Sequence, residues 1–338
     1  MTALPESTHF PLTGGPRLRW GVLAPGRIAR DWVGALHAHT DQRVAAVASR
    51  SRERAQAFAA ELGIPTVHGG YEELVADPGV DAVYIAAPHS EHRALALLAI
   101  AAGKHVLIEK PIAVTLAEAN DIVAAARAAG VFAMEAMWSR FLPQNTIVAQ
   151  LLEGGDLGDV LTVTADFGAK FEFDPASRAF DPALGGGALL DIGVYPAWFA
   201  HFVLGAPDAV TATGTLASTG VDAQAAVILD YPSGAQAAIT TSMLVETPLA
   251  ATISGTLGRV EFPGPFMGPG SFRLISGGER TEWNEPTGFQ WREGLCYQAA
   301  AMAQHVADGL TESPWHTLDD TLEILAVLES ARGQLGAL

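Results

Sequence analysis

The stretch Leu18-Arg19-Trp20-Gly21-Val22-Leu23-Ala24-Pro25-Gly26-Arg27-Ile28-Ala29 decides the fold. Residues 18–23 form an apolar strand-like run that breaks at Ala24-Pro25-Gly26, and Ile28, Ala29, Trp32, Val33 and Leu36 then recur at helical spacing. A strand that turns through glycine into a helix offers backbone amides and a positive helix end, which together can seat a pyrophosphate. The glycine pattern of such turns is incomplete here: Ala24 stands at the first position, Gly26 at the second and Ala29 at the third. Gly26 allows the backbone to approach a phosphate, and Ala29 is small enough for close helix–strand packing. Gly26, Arg27 and Ile28 are therefore the first candidate cofactor contacts. Taken alone, the segment also reads as an ordinary strand–helix turn.

The flanking sequence repeats the alternation. A β-rich run covers residues 44–48, and Ser51 caps a helix that reaches Leu62 and closes at Gly63. Residues 81–87 (DAVYIAA) are continuously apolar, as in strands of parallel sheets covered on both faces. Ser90 is placed to cap the next helix, which Gly103 ends, and residues 106–108 form the following strand. Thr115 and Glu118 have capping-box spacing, the helix after them runs to Gly130, and residues 132–134 form a further strand. This pattern predicts an α/β fold, a Rossmann-like doubly wound parallel sheet.

After Arg140 the texture changes. A helix over residues 145–152 is followed by β-rich segments at 161–167, 209–213, 225–229, 237–243, 251–254, 258–262 and 272–275. Their short Gly- and Pro-rich connections favour a mainly antiparallel open sheet in an α+β domain. Helices at about 293–308 and 318–334 end the chain. The expected division is a flexible arm at 1–16, a dinucleotide-binding domain at 17–140, and a substrate-binding and oligomerisation domain at 141–338 whose terminal helices pack back.

Composition narrows the function. The chain has 338 residues, 49% hydrophobic and 17% charged, so it can build real cores and is not a disordered sequence. Its 20 Lys plus Arg against 37 Asp plus Glu give a net charge of −17, which repels nucleic acid and anionic membrane surfaces; no partner of either kind is expected. A single cysteine, Cys296, excludes an intrachain disulfide and a cysteine-cluster metal site. No apolar run approaches the length of a membrane span, and the expected compartment is the cytoplasm.

Two further segments carry chemistry. At the end of the second strand, a carboxylate would accept hydrogen bonds from an unmodified adenosine ribose and repel a 2′-phosphate. The sequence instead offers Ser49 and Arg50, with Arg54 one turn on, which favours NADP over NAD. Glu109-Lys110-Pro111 follows a buried strand at its C-terminal end, where ligands sit in open α/β sheets. A lysine there can be partly desolvated, hold a substrate hydroxyl beside the nicotinamide and lower that hydroxyl's pKa.

Ala87-Pro88-His89-Ser90-Glu91-His92, then Glu109-Lys110-Pro111, then Gly185-Gly186-Gly187-Ala188-Leu189-Leu190-Asp191-Ile192-Gly193-Val194-Tyr195 resemble the Gfo/Idh/MocA family of oxidoreductases, in that order and over almost the whole chain. The resemblance implies a glycine turn that binds NAD or NADP, a catalytic lysine in Lys110 whose bond to Pro111 is often cis, and substrate contacts from the D-x-G-x-H segment. It also implies cofactor contacts from Ala87, Pro88, His89, His92, Glu109, Trp138 and Arg140, and assembly as a homodimer or homotetramer. This sequence departs from the pattern at Tyr195, which replaces the histidine. With Met134 to Pro143 upstream, that tyrosine is similar to the branch that acts on trans-dihydrodiols, sugars and cyclic polyols. Arg178 and Phe180, in the loop 174–187, are candidates to cover such a small hydroxylated substrate. His89, Glu91 and His92 lack a further spaced ligand, so no metal is expected.

Hydride transfer to or from a CH–OH carbon needs one proton to leave or join the oxygen. Tyr195 is the expected proton donor or acceptor, with Lys110 tuning it, while Asp191, four residues earlier, shares its helix face and can hold a neighbouring hydroxyl. A dinucleotide-binding sensor without turnover is the alternative. It has no use for Lys110, Asp191 and Tyr195 together.

Overall fold

A computed structural model describes residues 4–337; residues 1–3 of the expected arm and Leu338 lie outside the described residues. The elements β1 (Arg19–Leu23), α1 (Arg27–His39), β2 (Arg43–Ala48), α2 (Arg52–Leu62), β3 (Thr66–His68), α3 (Tyr71–Val75), β4 (Ala82–Ile85), α4 (His92–Ala101), β5 (His105–Ile108), α5 (Leu116–Ala129) and β6 (Ala133–Glu135) alternate strictly. Then come α6 (Pro143–Glu153), β7 (Val160–Gly168), α7 (Val194–Leu204), β8 (Ala209–Leu216), β9 (Asp222–Asp230), β10 (Gln236–Ser242) and β11 (Ala251–Gly255). The chain ends with β12 (Gly258–Phe262), β13 (Ser271–Ser276), β14 (Glu279–Asn284), α8 (Cys296–Ala307) and α9 (Leu318–Leu335). Two compact units result, one of His9–Phe141 with Gln290–Thr321, the other of residues 4–8, Leu142–Phe289 and residues 322–337.

The first unit is built on a parallel sheet in the order β3-β2-β1-β4-β5-β6. Ala82–Ile85 is buried throughout, as its unbroken apolar run requires of a strand covered on both faces. Trp20 of β1, Trp32 of α1 and Tyr84 of β4 form an aromatic column, with ring centroids 5.1 Å and 4.3 Å apart. Ser51, Thr115, Gly63 and Gly130 cap the helices as their positions predict. The Glu118 carboxylate accepts from Val114 rather than from the cap residue itself. Ser90 does not cap α4: a short 3-10 turn over His89–Glu91 precedes it, without a side-chain cap. β3 and α3 were not anticipated, because a half-buried strand and a short helix show no periodicity to read.

The returning segment closes this unit. Trp315 is stacked on Phe10 of the arm (4.8 Å) and on Phe141 (6.0 Å), with the Arg140 guanidinium 5.5 Å from its ring centroid.

The second unit holds a sheet in the order β14-β13-β12-β11-β7-β10-β9-β8. Its pairs are antiparallel except β7 with β10, which are parallel. Alternate residues of β7 (Val163, Ala165, Phe167), β9 (Ala225, Val227, Leu229) and β10 (Ala237, Ile239, Thr241) point into the core that α7 covers. The apolar stretch Pro182–Leu204 is mostly buried within the protein. β14 escaped the sequence reading because ERTEWN is a polar edge strand. In this unit Ser7 and Thr8 bond the Thr146 hydroxyl at 2.8 and 3.0 Å.

Candidate active site

The strand order of the parallel sheet reverses direction between β1 and β4, so their C-terminal ends flank the crevice where α/β sheets bind ligands. At the end of β1, Ala24 takes the left-handed conformation, φ 58°, that the missing first glycine would adopt freely. An alanine accepts it at a cost of about 1–2 kcal/mol. Gly26 precedes α1, and a Cβ built on it would meet nothing nearer than the Ala24 carbonyl at 4.0 Å. The space beside Gly26 is open, and the first amides of α1 face no side-chain cap. A pyrophosphate fits this cradle. Ala29 is fully buried against the sheet, Ile28 is half-buried and Arg27 is exposed.

At the end of β2, Ser49 is buried and its hydroxyl accepts from the Ser51 amide at 3.3 Å. The Arg50 side chain is 76% exposed, with Glu91 at 3.9 Å, and Arg54 is exposed on the first turn of α2. Ser51 donates to Glu53 at 2.8 Å and helps hold that carboxylate's pKa low, after the contribution of Glu53's own amide. Tyr71, whose hydroxyl is pushed up chiefly by burial, contacts Arg50. The donors gathered here are hydroxyls and guanidinia.

Lys110 is half-buried and its peptide bond to Pro111 is cis. Three buried groups hold its loop. Tyr84 donates a short hydrogen bond to Glu109, whose carboxyl is pushed up by burial, with opposing pulls from Tyr84 and Lys110. The ring nitrogens of His92 lie 2.9 Å from the carbonyls of Pro111 and of Ala87, so this buried ring joins the loops after β4 and β5. Burial lowers its pKa, with the carbonyls of Ala87 and Pro111 pulling the other way. Glu135, at the end of β6, accepts from the Ile112 amide at 2.8 Å, and its other oxygen lies 3.1 Å from His316 Nε2. His89 is buried with its ring 5.7 Å from that of His92, whereas Ala87 and Pro88 are half-buried at the crevice. Trp138 is buried in a 3-10 turn, and Arg140 Nε donates to the Trp315 carbonyl at 2.9 Å.

Sequence reasoning missed Tyr84, Glu135 and His316. An acid ending the apolar strand Ala133–Glu135 was the one available signal.

The second unit gathers Arg178, Asp191 and Tyr195. Leu189–Gly193 forms a single π-helical turn that runs into α7, and such turns recur at functional sites. Asp191 is buried in it, 3.0 Å from the Arg178 guanidinium, and Tyr195 stands on the first turn of α7 with the Phe167 ring 5.6 Å away. Phe180 is buried and meets the exposed Phe173 edge-on at 5.0 Å, so it anchors its loop rather than lying open. Just before the turn, Gly187 has φ +124°, and a Cβ on it would fall 2.4 Å from the Asp222 carboxylate. Only glycine fits there.

Comparison with known proteins agrees with this architecture. Residues 18–137 match the oxidoreductase family with an NAD-binding Rossmann fold, and residues 146–261 match the GFO/IDH/MocA C-terminal domain. The chain belongs to the Gfo/Idh/MocA family and is an oxidoreductase acting on CH–OH groups. It is similar to the trans-1,2-dihydrobenzene-1,2-diol dehydrogenase of Xenopus laevis, 39% identical over 329 residues that cover 95% of this chain and 98% of the other. The enzyme of the same name from Homo sapiens is 37% identical, covering 94% and 97%.

Solved structures of oxidoreductases share the fold. An aldose-aldose oxidoreductase from Caulobacter crescentus complexed with glycerol is 28% identical with a TM-score of 0.84, covering 94% of this chain and 97% of that one. A 3-ketoreductase from Actinomadura kijaniata in complex with NADP and TDP-benzene is 28% identical with a TM-score of 0.80, covering 94% and 98%.

Proposed function

We propose that this protein is an NADP-dependent dehydrogenase of trans-dihydrodiols and related cyclic or sugar hydroxyls, with Tyr195 exchanging the proton and Lys110 holding the reacting oxygen. The observation that carries it is the placement of a tyrosine, not a histidine, on the first turn of α7 beside a buried Asp191. The Phe167 ring next to Tyr195 favours a flat hydrocarbon ring bearing vicinal hydroxyls. Relatives named for dihydrobenzenediol oxidation support the same class.

NADP supplies the hydride acceptor, or the donor in the reverse direction. The amides after Gly26 would hold its pyrophosphate, and Ser49, Arg50 and Arg54 would receive its 2′-phosphate by charge-assisted bonds. Lys110 donates to the substrate oxygen and favours its deprotonated form. The Tyr195 phenolate takes the proton in oxidation, and the resulting phenol returns it in reduction. Asp191, held by Arg178, would accept from the neighbouring substrate hydroxyl and so orient the substrate.

Reduced-nicotinamide absorbance tests the reading. The protein is offered NADP or NAD with trans-dihydrodiols, aldoses and inositols, beside Lys110→Ala and Tyr195→Phe. Turnover with NADP and a dihydrodiol is expected, falling by about two orders of magnitude or more in either variant. Undiminished turnover in Tyr195→Phe removes the proton-transfer role, and turnover with NAD alone removes the cofactor preference.

A further inference from the structure

Asp222, the first residue of β9, is fully buried, yet it takes no part in the chemistry above. Its Oδ2 accepts from the Leu189 amide at 2.6 Å, at the start of the π-helical turn. Oδ1 has no hydrogen-bond partner among the described residues. The room for Oδ1 exists because residue 187 is glycine. From α9 the charged group facing Asp222 is Arg332; its paired residue on β8 is the apolar Leu216. A carboxylate is thus buried at the one point where the backbone enters the turn carrying Asp191 and, one turn later, Tyr195.

We propose that Asp222 is a positioning residue for the reaction: its ionised carboxylate fixes the amide of Leu189 and thereby sets the Asp191–Tyr195 turn. The proposal rests on the reading that Tyr195 exchanges the proton.

Two physical points support it. An ionised acceptor binds backbone amides more strongly than a neutral one, so the anchor is firm only when Asp222 is charged. Burial raises its pKa to about 6, with the Leu189 amide and Arg332 pulling it down. A carboxyl raised above its unfolded value stabilises the fold at low pH and withdraws that contribution as pH rises through about 6. The charged form therefore works against folding stability at neutral pH, as is expected of a group that serves the site rather than the fold.

The test has two arms. In the first, kcat of the wild type is followed from pH 5 to 8 with saturating substrate and cofactor. It should rise through about 6. Asp222→Asn, which has the shape of the protonated side chain, should show no such rise and a kcat about ten-fold below wild type at pH 8, with NADP affinity unchanged. A wild-type kcat at pH 8 in that variant, or the same rise near pH 6, overturns the proposal.

The second arm needs neither turnover nor a folded variant. Hydrogen exchange at the Leu189 amide of the wild type, corrected for the intrinsic pH dependence, should slow as pH rises through about 6. No change in protection there overturns the anchor. Changed protection in a protein that turns over none of the substrates would instead refute the proposed reaction and leave the anchor standing.

Discussion

Glu135 Oε1 receives the amide of Ile112 at 2.8 Å, two residues beyond Lys110, while Oε2 of the same carboxylate lies 3.1 Å from His316. A buried acid thus braces the turn that aims the proposed catalytic lysine, and a histidine from the returning segment braces the acid.

Glu135→Ala removes an acceptor from a buried amide and leaves His316 without its carboxylate. A loss of about 2–3 kcal/mol in unfolding free energy is expected, since bonds to a charged group contribute about 1.5–3 kcal/mol. Turnover should fall at least about ten-fold, because small misplacements of a reacting group have large effects. Glu135→Gln keeps an acceptor for Ile112 and should lie between Ala and wild type. Denaturant titration and steady-state kinetics check both. An alanine variant with wild-type kcat would show that Lys110 does not depend on this brace.

At the other end of the crevice, Arg50→Ala should weaken NADP and leave NAD unchanged. One charge-assisted bond of about 1.5–3 kcal/mol corresponds to a 10- to 100-fold rise in the NADP dissociation constant. Added salt should weaken NADP binding to the wild type and narrow the gap between the two proteins. Fluorescence titration with each nucleotide decides it. Equal losses for NADP and NAD would move Arg50 away from the 2′-phosphate.

Gly187→Ala places a methyl group 2.4 Å from the Asp222 carboxylate at φ +124°, a region that L side chains rarely adopt. Backbone strain of about 1–3 kcal/mol adds to the steric term, so the variant should unfold at least about 2 kcal/mol more easily. Urea denaturation measures it. A wild-type midpoint would mean that the turn can relax without cost.

The alternation of Leu18 to Met134 was legible because parallel strands buried on both faces leave continuous apolar runs, and Ala82–Ile85 is one of them. The Glu109-Lys110-Pro111 triplet and the D-x-G segment were legible as motifs. The supports around them were not. His92 reads as a helix-capping or cofactor residue, yet its ring spans two carbonyls from different loops, a geometry that local spacing does not encode. His316 meets Glu135 across 181 residues of sequence. Asp222 is one acid at the head of an ordinary β segment, and only the fold shows that it meets the turn before Tyr195. Similarly, Ala24 weakens the glycine pattern on paper, although its backbone adopts the required left-handed conformation.

The Trp315 bracket has a consequence for how this protein is made. Phe10, Arg140 and Phe141 emerge from the ribosome long before the indole that they enclose, because residues 290–321 complete the unit begun at His9. During synthesis that aromatic surface therefore stays without its indole until residues 290–321 have been produced. Its exposure to chaperones and proteases is set by the time needed to translate the intervening sheet.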